Sequence, residues 1–325
     1  MNLKRLSQFG SPILGLLLFG VSLWAIAAQL REFDYRDIFQ SMAGIPKVYL
    51  LLACACTALN YLMLTGYDTL AMRYIRRSIP FRKIALTAIV SQAITNTAGL
   101  ELLTGSAIRY RFYSGWGLST LEIAKVITFC HVSFWLGFFA VAGLVLIAEP
   151  VFVPSLLRIP SNSLYPLGTI FLFLVAGYLL WNVWSHKPMK LGKWAIPRLP
   201  VKISLYQAAI ATLDWAVAGG VLYVLLLANA PLSYPSFFGI YILGQLAGVI
   251  SNVPGGLGVF ETVLLLSLSG QISSPELFGA LLAYRGIYYF FPLIVAIVLL
   301  GIYEVRQQLN KKVGKRQKPA RKREC

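Results

Sequence analysis

Long apolar stretches recur along nearly the whole sequence, and they constrain its fold more than any other feature. A helix of about 20 residues crosses the roughly 30 Å hydrocarbon core of a bilayer. Six segments have this length and character: 12–30, 48–70, 119–147, 164–184, 203–228 and 277–303. Because the apolar residues, 58% of the chain, run almost end to end, a soluble core does not account for them. The sequence predicts an all-α, polytopic membrane protein.

The first apolar segment has two interpretations. Lys4 and Arg5 precede it, and Ala25-Ile26-Ala27 resembles a signal-peptidase site near its end. A cleaved signal peptide has a shorter apolar region than residues 12–30. We therefore predict an uncleaved first span.

Two further apolar stretches are interrupted. Residues 84–108 contain the polar run 95–99, and residues 237–268 contain Ser251-Asn252-Val253-Pro254-Gly255-Gly256. Pro and paired Gly break helices, and the freed backbone groups survive at membrane depth only where protein or a water-filled cavity satisfies them. We predict two broken, re-entrant hairpins, which brings the number of hydrophobic segments to about eight.

The two breaks share a short pattern. Each has an Asn, a Gly three residues later and then a carboxylate: Asn96, Gly99 and Glu101 in the first, and Asn252, Gly255 and Glu261 in the second. Inverted repeats with broken helices that meet near mid-membrane are a recurrent plan for transporters. The pattern indicates such a repeat, although so few matching positions also occur by chance.

The distribution of charge predicts the topology. Most of the 29 Lys and Arg residues fall on one side if both broken stretches are hairpins, and cytoplasmic loops are rich in these residues. Both termini are then cytoplasmic, and the hairpins open from opposite sides. Making 84–108 a full span reverses this bias, whereas making 237–268 two spans does not. We predict a transmembrane domain over 1–305 and a basic cytoplasmic tail over 306–325.

The segment NVPGGLGVFE, residues 252–261, contains the first group of candidate site residues. Its members are Asn252, Pro254, Gly255, Gly256, Gly258 and Glu261. Pro and Gly reverse the chain, and a new helix is expected to begin near Gly258. Free N–H groups at a helix start bind anions such as a phosphodiester headgroup. The alternative is a tight turn in which Glu261 caps the first helical turn.

Arg285 lies well inside the last predicted span, where an unpaired charge costs several kcal/mol. Glu261 is expected at a similar depth, so the two side chains are predicted to meet. In the functional interpretation, Arg285 binds lipid phosphate while Glu261 balances its charge or titrates. The alternative is a permanent structural ion pair.

Arg109 and Arg111 follow the first hairpin and alternate with aromatic residues. They are candidates for gathering headgroups at the cytoplasmic interface. The alternative for these two arginines is an ordinary positive-inside anchor with an aromatic belt. Glu101, in the first broken stretch, is a further candidate for transport. Asp68 and Asp214 also fall in or near spans and are secondary candidates.

Other classes of site are not indicated. His131 and His186 lack the Cys or carboxylate spacing of a metal site, and Gly255-Gly256-Leu257-Gly258 lacks the strand and downstream acid of a dinucleotide site. We expect no cofactor. The net charge of +17 follows from cytoplasmic loops and a tail attracted to anionic lipid, so no nucleic-acid partner is expected.

Four segments resemble the lysylphosphatidylglycerol synthase transmembrane-region family, which comprises the flippase half of the multiple peptide resistance factor and stand-alone inner-membrane relatives. They are GYDTLAMR (66–73), IRYRFYSGWGL (108–118), NVPGGLGVFE (252–261) and LLAYRGIYYFFP (281–292). The resemblance implies a bacterial inner-membrane protein that translocates a modified phospholipid. No synthase domain follows the last span, so we do not expect lipid modification, and the cargo stays open.

Several functions are compatible with these features of the sequence. The leading hypothesis is a flippase or transporter for a phospholipid, which the resemblance implies is aminoacylated or otherwise modified. A non-transport membrane partner of a separately encoded lipid synthase or glycosyltransferase is the main alternative, and a homodimer is compatible with either. An ion or small-solute transporter needs a sealed aqueous route and ion coupling. An intramembrane enzyme has only Glu261 and Asp214 as acids, with no nucleophile or metal ligands to match.

Overall fold

The computed structural model describes residues 35–98, 101–148, 164–184, 189–191, 194–196, 198–227, 232–251 and 253–316. The helices are α1 (Tyr35–Ala43), α2 (Lys47–Tyr74), α3 (Phe81–Ala98), α4 (Glu101–Gly115), α5 (Thr120–Ala148), α6 (Leu164–Trp184), α7 (Val201–Leu226), α8 (Tyr234–Ser251), α9 (Val259–Leu268), α10 (Ser274–Tyr284) and α11 (Phe291–Arg316). A 3-10 turn at Pro254–Gly256 joins α8 to α9, and a π-helical segment at Arg285–Phe290 joins α10 to α11.

Among the described residues, six helices are long and apolar enough to cross a membrane. They are α2, α5, α6, α7, α8 and the continuous run Ser274–Arg306 through α10 and α11. Five of them coincide with predicted spans, and α8 is the first arm of the second broken stretch. The predicted span over 12–30 lies outside the described residues. The predicted multi-pass, helical membrane architecture is confirmed.

At both predicted breaks, the described helices on either side pack against each other. α3 ends at Ala98 and α4 begins at Glu101, and the two helices pack against each other. The Lys83 ammonium near the start of α3 lies 5.1 Å from the centre of the Trp116 ring just after α4. Both ends of this hairpin therefore lie next to each other.

The second broken stretch has unequal arms. α8 has 18 residues, whereas α9 has only 10. At about 1.5 Å per residue, α9 covers roughly half of a bilayer's hydrocarbon core, which does not suffice for a second complete span. The placement of the hairpins relative to the bilayer and the cytoplasmic location of both termini remain predictions.

The centre of the domain is formed by α2, α5 and α7, which contact one another closely. At Gly137, an added β-carbon would lie 2.4 Å from the Ala211 carbonyl oxygen, so only glycine permits this approach of α5 to α7. Large apolar side chains point outward instead, as Leu51 and Phe173 do. In a membrane this outward face contacts lipid, so its exposure needs no partner protein.

Two features at the periphery were not predicted. Three-residue strands, β1 (Met189–Leu191) and β2 (Trp194–Ile196), pair antiparallel in the segment between α6 and α7. The last helix continues to Arg316, into the region predicted as a basic tail. Residues 317–325 of that tail lie outside the described residues.

Candidate functional site

The turn between α8 and α9 depends on glycine. Gly255 and Gly256 both have φ of 60°, and Gly258 has φ of 81°, in the region that side chains with a β-carbon rarely adopt. A β-carbon on Gly255 would lie 3.3 Å from the carbonyl oxygens of both Asn96 and Thr97 at the end of α3. The two broken stretches therefore meet at this turn, and the inverted repeat itself stays a prediction.

Glu261 uses its two carboxylate oxygens for different partners. Oε2 accepts a hydrogen bond of 2.8 Å from the Gly258 backbone N–H at the start of α9. Oε1 accepts one of 2.7 Å from Arg285 Nε, and Arg285 Nη2 lies 2.6 Å from the same oxygen. The predicted contact between the two side chains is confirmed. Because Glu261 also caps α9, the anion position at this helix start holds the chain's own carboxylate.

Arg285 is held on three sides. Its Nη1 donates a hydrogen bond of 2.6 Å to the Gly255 carbonyl, and its guanidinium carbon lies 4.4 Å from the centre of the Tyr289 ring. Only 7% of the side chain is exposed. Arg285 also begins the π-helical segment, a type of distortion that is frequent at functional sites. These contacts offset the cost of burying its charge.

A cavity of about 190 Å³ lies beside this ion pair. It is lined by the turn at Gly255 and Gly256, by the Tyr289 ring, and by polar and aromatic side chains from four other helices: Gln92, Thr95, Asn96, Gln245, Trp215 and Phe260. Three of these are amides, each able to donate and accept hydrogen bonds. The meeting of the broken helices therefore creates a space with polar groups in its wall within an apolar domain.

A second buried ion pair joins α2 to α4. Arg109 Nη2 lies 3.1 Å from Asp68 Oδ2, and its Nε donates to the same carboxylate. The Tyr113 hydroxyl donates a hydrogen bond of 2.7 Å to Asp68 Oδ1. Side-chain exposure is 6% for Arg109 and 0% for Asp68. Arg109 thus lies inside the helix bundle rather than on an interfacial surface.

Arg111 lies apart from Arg109. Its guanidinium is exposed and pairs with Glu304 on α11. The hypothesis that both arginines gather headgroups at one interface requires a shared surface, and the two side chains do not share one. Two residues of α4, a rotation of about 200°, separate an arginine directed into the core from one directed outward.

Asp214 is the centre of a third polar cluster. Asn60 Nδ2 donates a hydrogen bond of 2.7 Å to its Oδ1, and the Tyr67 hydroxyl donates one of 2.7 Å to its Oδ2. The Tyr288 hydroxyl in turn donates to Asn60 Oδ1 at 2.9 Å. Tyr67 precedes Asp68, and Tyr288 lies in the same π-helical segment as Arg285. This cluster therefore lies between the two ion pairs.

Three predicted residues are described only in part or not at all. Asn252 lies outside the described residues. Glu101 begins α4, and Pro254 begins the 3-10 turn, but their side chains are outside the description. Their roles stay predictions.

Of the three amides that line the cavity, only Asn96 belongs to a sequence motif. Gln92 and Gln245 come from distant parts of the sequence, and Asn60, which supports the Asp214 cluster, is in no motif either. Each is a polar residue within an otherwise apolar stretch, and such residues in membrane helices face a partner helix or a cavity. That signal was available, but it does not indicate which helices meet.

Comparisons with known proteins agree with this architecture. The family model described as "Lysylphosphatidylglycerol synthase TM region" matches residues 13–296. The uncharacterized protein slr0712 of Synechocystis sp. is 45% identical over 304 residues, which cover 94% of each chain. The inner membrane protein YbhN of Escherichia coli is 29% identical over 91% of this chain and 93% of its own.

A third relative is much longer than this chain. The phosphatidylglycerol lysyltransferase of Staphylococcus haemolyticus is 22% identical over 91% of this chain, but the match covers only 34% of that enzyme. The similarity is therefore to one part of the enzyme, and the family match is to the transmembrane region. The chain belongs to the family of the lysylphosphatidylglycerol synthase transmembrane region.

Proposed function

We propose that this protein moves phospholipids between the leaflets of the bacterial inner membrane, with the headgroup passing through the cavity beside the Gly255 turn. The observation that carries the proposal is a cavity lined by three amides inside an apolar domain, where two broken helices meet next to a buried ion pair. Broken helices that meet within the bilayer are typical of transporter sites. Similarity to a protein named for the inner membrane supports the location.

The ion pair between Glu261 and Arg285 suits a phosphate-bearing cargo. When a lipid phosphate reaches the cavity, Arg285 exchanges the carboxylate for phosphate oxygens, which also accept charge-assisted hydrogen bonds. Glu261 keeps its hydrogen bond from the Gly258 N–H, so its charge stays compensated by the helix start. The Arg285 guanidinium therefore always has an anionic partner, first the Glu261 carboxylate and then the lipid phosphate.

Leaflet exchange in proteoliposomes tests the proposal. Purified protein is reconstituted with labelled anionic and aminoacylated phospholipids, and the wild type is compared with Arg285→Ala and Glu261→Gln. We expect the wild type to move lipid and both variants to lose at least about tenfold in rate, equivalent to roughly 1.4 kcal/mol in the barrier.

The matched control is Arg77→Ala, since Arg77 also pairs with a glutamate, Glu122, but is half exposed. We expect this variant to transport like the wild type. Circular dichroism establishes that each variant is folded. Failure of the wild type to move either lipid class would contradict transport.

A second candidate function is a non-transport membrane partner of a lipid-modifying enzyme. The observation that favours it is the lysyltransferase relative, in which the matching region is about a third of a longer chain. In that case, purified protein would move no lipid alone but would raise the activity of a co-reconstituted lipid-modifying enzyme.

A further inference from the structure

An apolar groove lies between α2, α3 and the helix formed by the π segment and α11. It has a volume of about 410 Å³, and its walls include Ala58, Tyr61, Leu62, Ile89 and Phe291. Leu62 and Phe291 are more than half exposed, so the groove opens toward the lipid-facing side. A cavity of roughly 150 Å³ holds the six carbons of benzene, and by that ratio the groove holds a chain of about 16 carbons.

The groove and the polar cavity lie along one face of α3. Ala85 and Ile89 line the groove, whereas Gln92 and Asn96 line the cavity. These positions follow one another at spacings of four, three and four residues, which places them on the same side of a helix. One ligand lying along α3 therefore reaches both.

Tyr61 stands at the junction of the two spaces. Its ring lines the groove, and its hydroxyl lies close to Asn96, which lines the cavity. That hydroxyl is buried and has no aligned hydrogen-bond partner among the described residues. An unmatched buried hydroxyl costs about 1–3 kcal/mol. Because the hydroxyl is fully buried in this structure, an ester oxygen of a lipid supplies the missing partner once the Tyr61 side chain turns toward the groove.

The chemistry of the cavity restricts the headgroup. Its polar side chains are three amides, two hydroxyls and one indole, with no carboxylate among the described lining residues. The nearby carboxylate of Glu261 does not line the cavity, and the Gly258 N–H still holds it when Arg285 turns to a lipid phosphate. An ammonium group within the cavity therefore meets no lining counter-ion, whereas hydroxyl groups match amide donors and acceptors. By the same volume ratio, the cavity holds about eight non-hydrogen atoms, more than the six of a glycerol group.

We infer that the cavity and the groove form one binding site for a diacyl lipid whose headgroup ends in an uncharged polyol, with an acyl chain in the groove. The inference deepens the proposed function by assigning its cargo, and it disfavours headgroups that end in an amine. The lining amides bind the polyol, and the Tyr61 hydroxyl binds an ester oxygen.

Equilibrium binding tests this assignment separately from transport. Delipidated protein in detergent is titrated with phosphatidylglycerol, a monoglycosyl diacylglycerol, phosphatidylethanolamine and lysylphosphatidylglycerol of equal chain length, and native mass spectrometry measures occupancy. We expect the two polyol lipids to bind at least about fivefold more tightly than the two amine lipids, the equivalent of roughly one hydrogen bond. Equal binding, or tighter binding of the amine lipids, would overturn the inference. A difference between the two polyol lipids shows which source of polyol the site prefers.

Two variants make the test specific. Gln245→Glu places a carboxylate in the cavity, so the preference should shift toward the amine lipids. Gln271→Glu, at an exposed position in the turn after α9, should leave the preference unchanged. An unaltered preference in a folded Gln245→Glu variant would place the headgroup elsewhere.

Tyr61→Phe should weaken binding of all four lipids by a similar factor, up to about fivefold, without changing their order. Unchanged affinity would refute the role of the hydroxyl at the junction. Selective binding without leaflet exchange would refute the proposed transport but support this site. Leaflet exchange without selectivity would support transport and refute the site.

Discussion

Replacing Asp68 by Asn is expected to lower the free energy of unfolding by about 3–5 kcal/mol, because it leaves the Arg109 guanidinium buried without its counter-ion. The structure supports a loss of this size rather than the smaller loss expected for a solvent-exposed ion pair. The carboxylate is fully buried and accepts hydrogen bonds from Arg109 and from the Tyr113 hydroxyl. An amide of the same shape keeps part of this geometry but removes the charge.

The partner substitution, Arg109→Met, leaves the opposite charge buried and should cost a similar amount. The double variant contains neither charge. Replacing a whole buried ion pair by uncharged groups is often close to neutral. We therefore expect the double variant to be at least about 2 kcal/mol more stable than the sum of the single effects predicts.

Unfolding in mixed micelles with increasing sodium dodecyl sulfate, followed by circular dichroism, measures these free energies. Arg77→Met is the matched control, because the Arg77 side chain is 50% exposed in its pair with Glu122. We expect its effect to be within the error of the measurement. Additive effects of the Asp68 and Arg109 substitutions would refute the reasoning, since they would mean that the two charges do not depend on each other.

Two backbone predictions use the same titration. Gly137→Ala should lower the free energy of unfolding by about 1–3 kcal/mol, because the added β-carbon would overlap the Ala211 carbonyl. Gly177→Ala should be neutral or stabilising, because nothing lies within 4 Å of the added β-carbon. Arg76→Gly should raise the free energy of unfolding by up to about 1 kcal/mol, because Arg76 has a φ of 56°, which glycine adopts without strain. Arg73→Gly should lower it by a similar amount, because Arg73 lies inside the last turn of α2, where glycine is a poor helix former. The same sign of change within either pair would contradict these explanations.

Hydropathy predicted the helical spans well because it depends only on length and composition. The predicted span 48–70 corresponds to α2 and the span 203–228 to α7, each within a few residues at either end. The break at residues 252–258 was equally predictable, since Pro254 and the following glycines exclude a continuous helix. The contact of Glu261 with Arg285 followed from similar expected depths in neighbouring segments.

The same reasoning did not assign the environment of Arg109. From the sequence, Arg109 and Arg111 looked alike, two basic residues at the end of an apolar segment. A turn of about 100° per residue in α4 places them on different faces, and only one of those faces meets Asp68 on α2. The π-helical segment at Arg285 was also unpredicted, because it reflects local packing and leaves no signature in the composition.

The sequence by itself determined that the chain is a helical, multi-pass membrane protein with helices broken at defined glycines, because lipid leaves the backbone few other ways to satisfy its hydrogen bonds. The tertiary structure alone decided which residues form the cavity and its ion pairs. Lipid-facing and core-facing positions are both apolar in a membrane helix, so periodicity does not reveal its orientation. Gln92, Gln245 and the Gly255 turn therefore became neighbours only when the helices were packed.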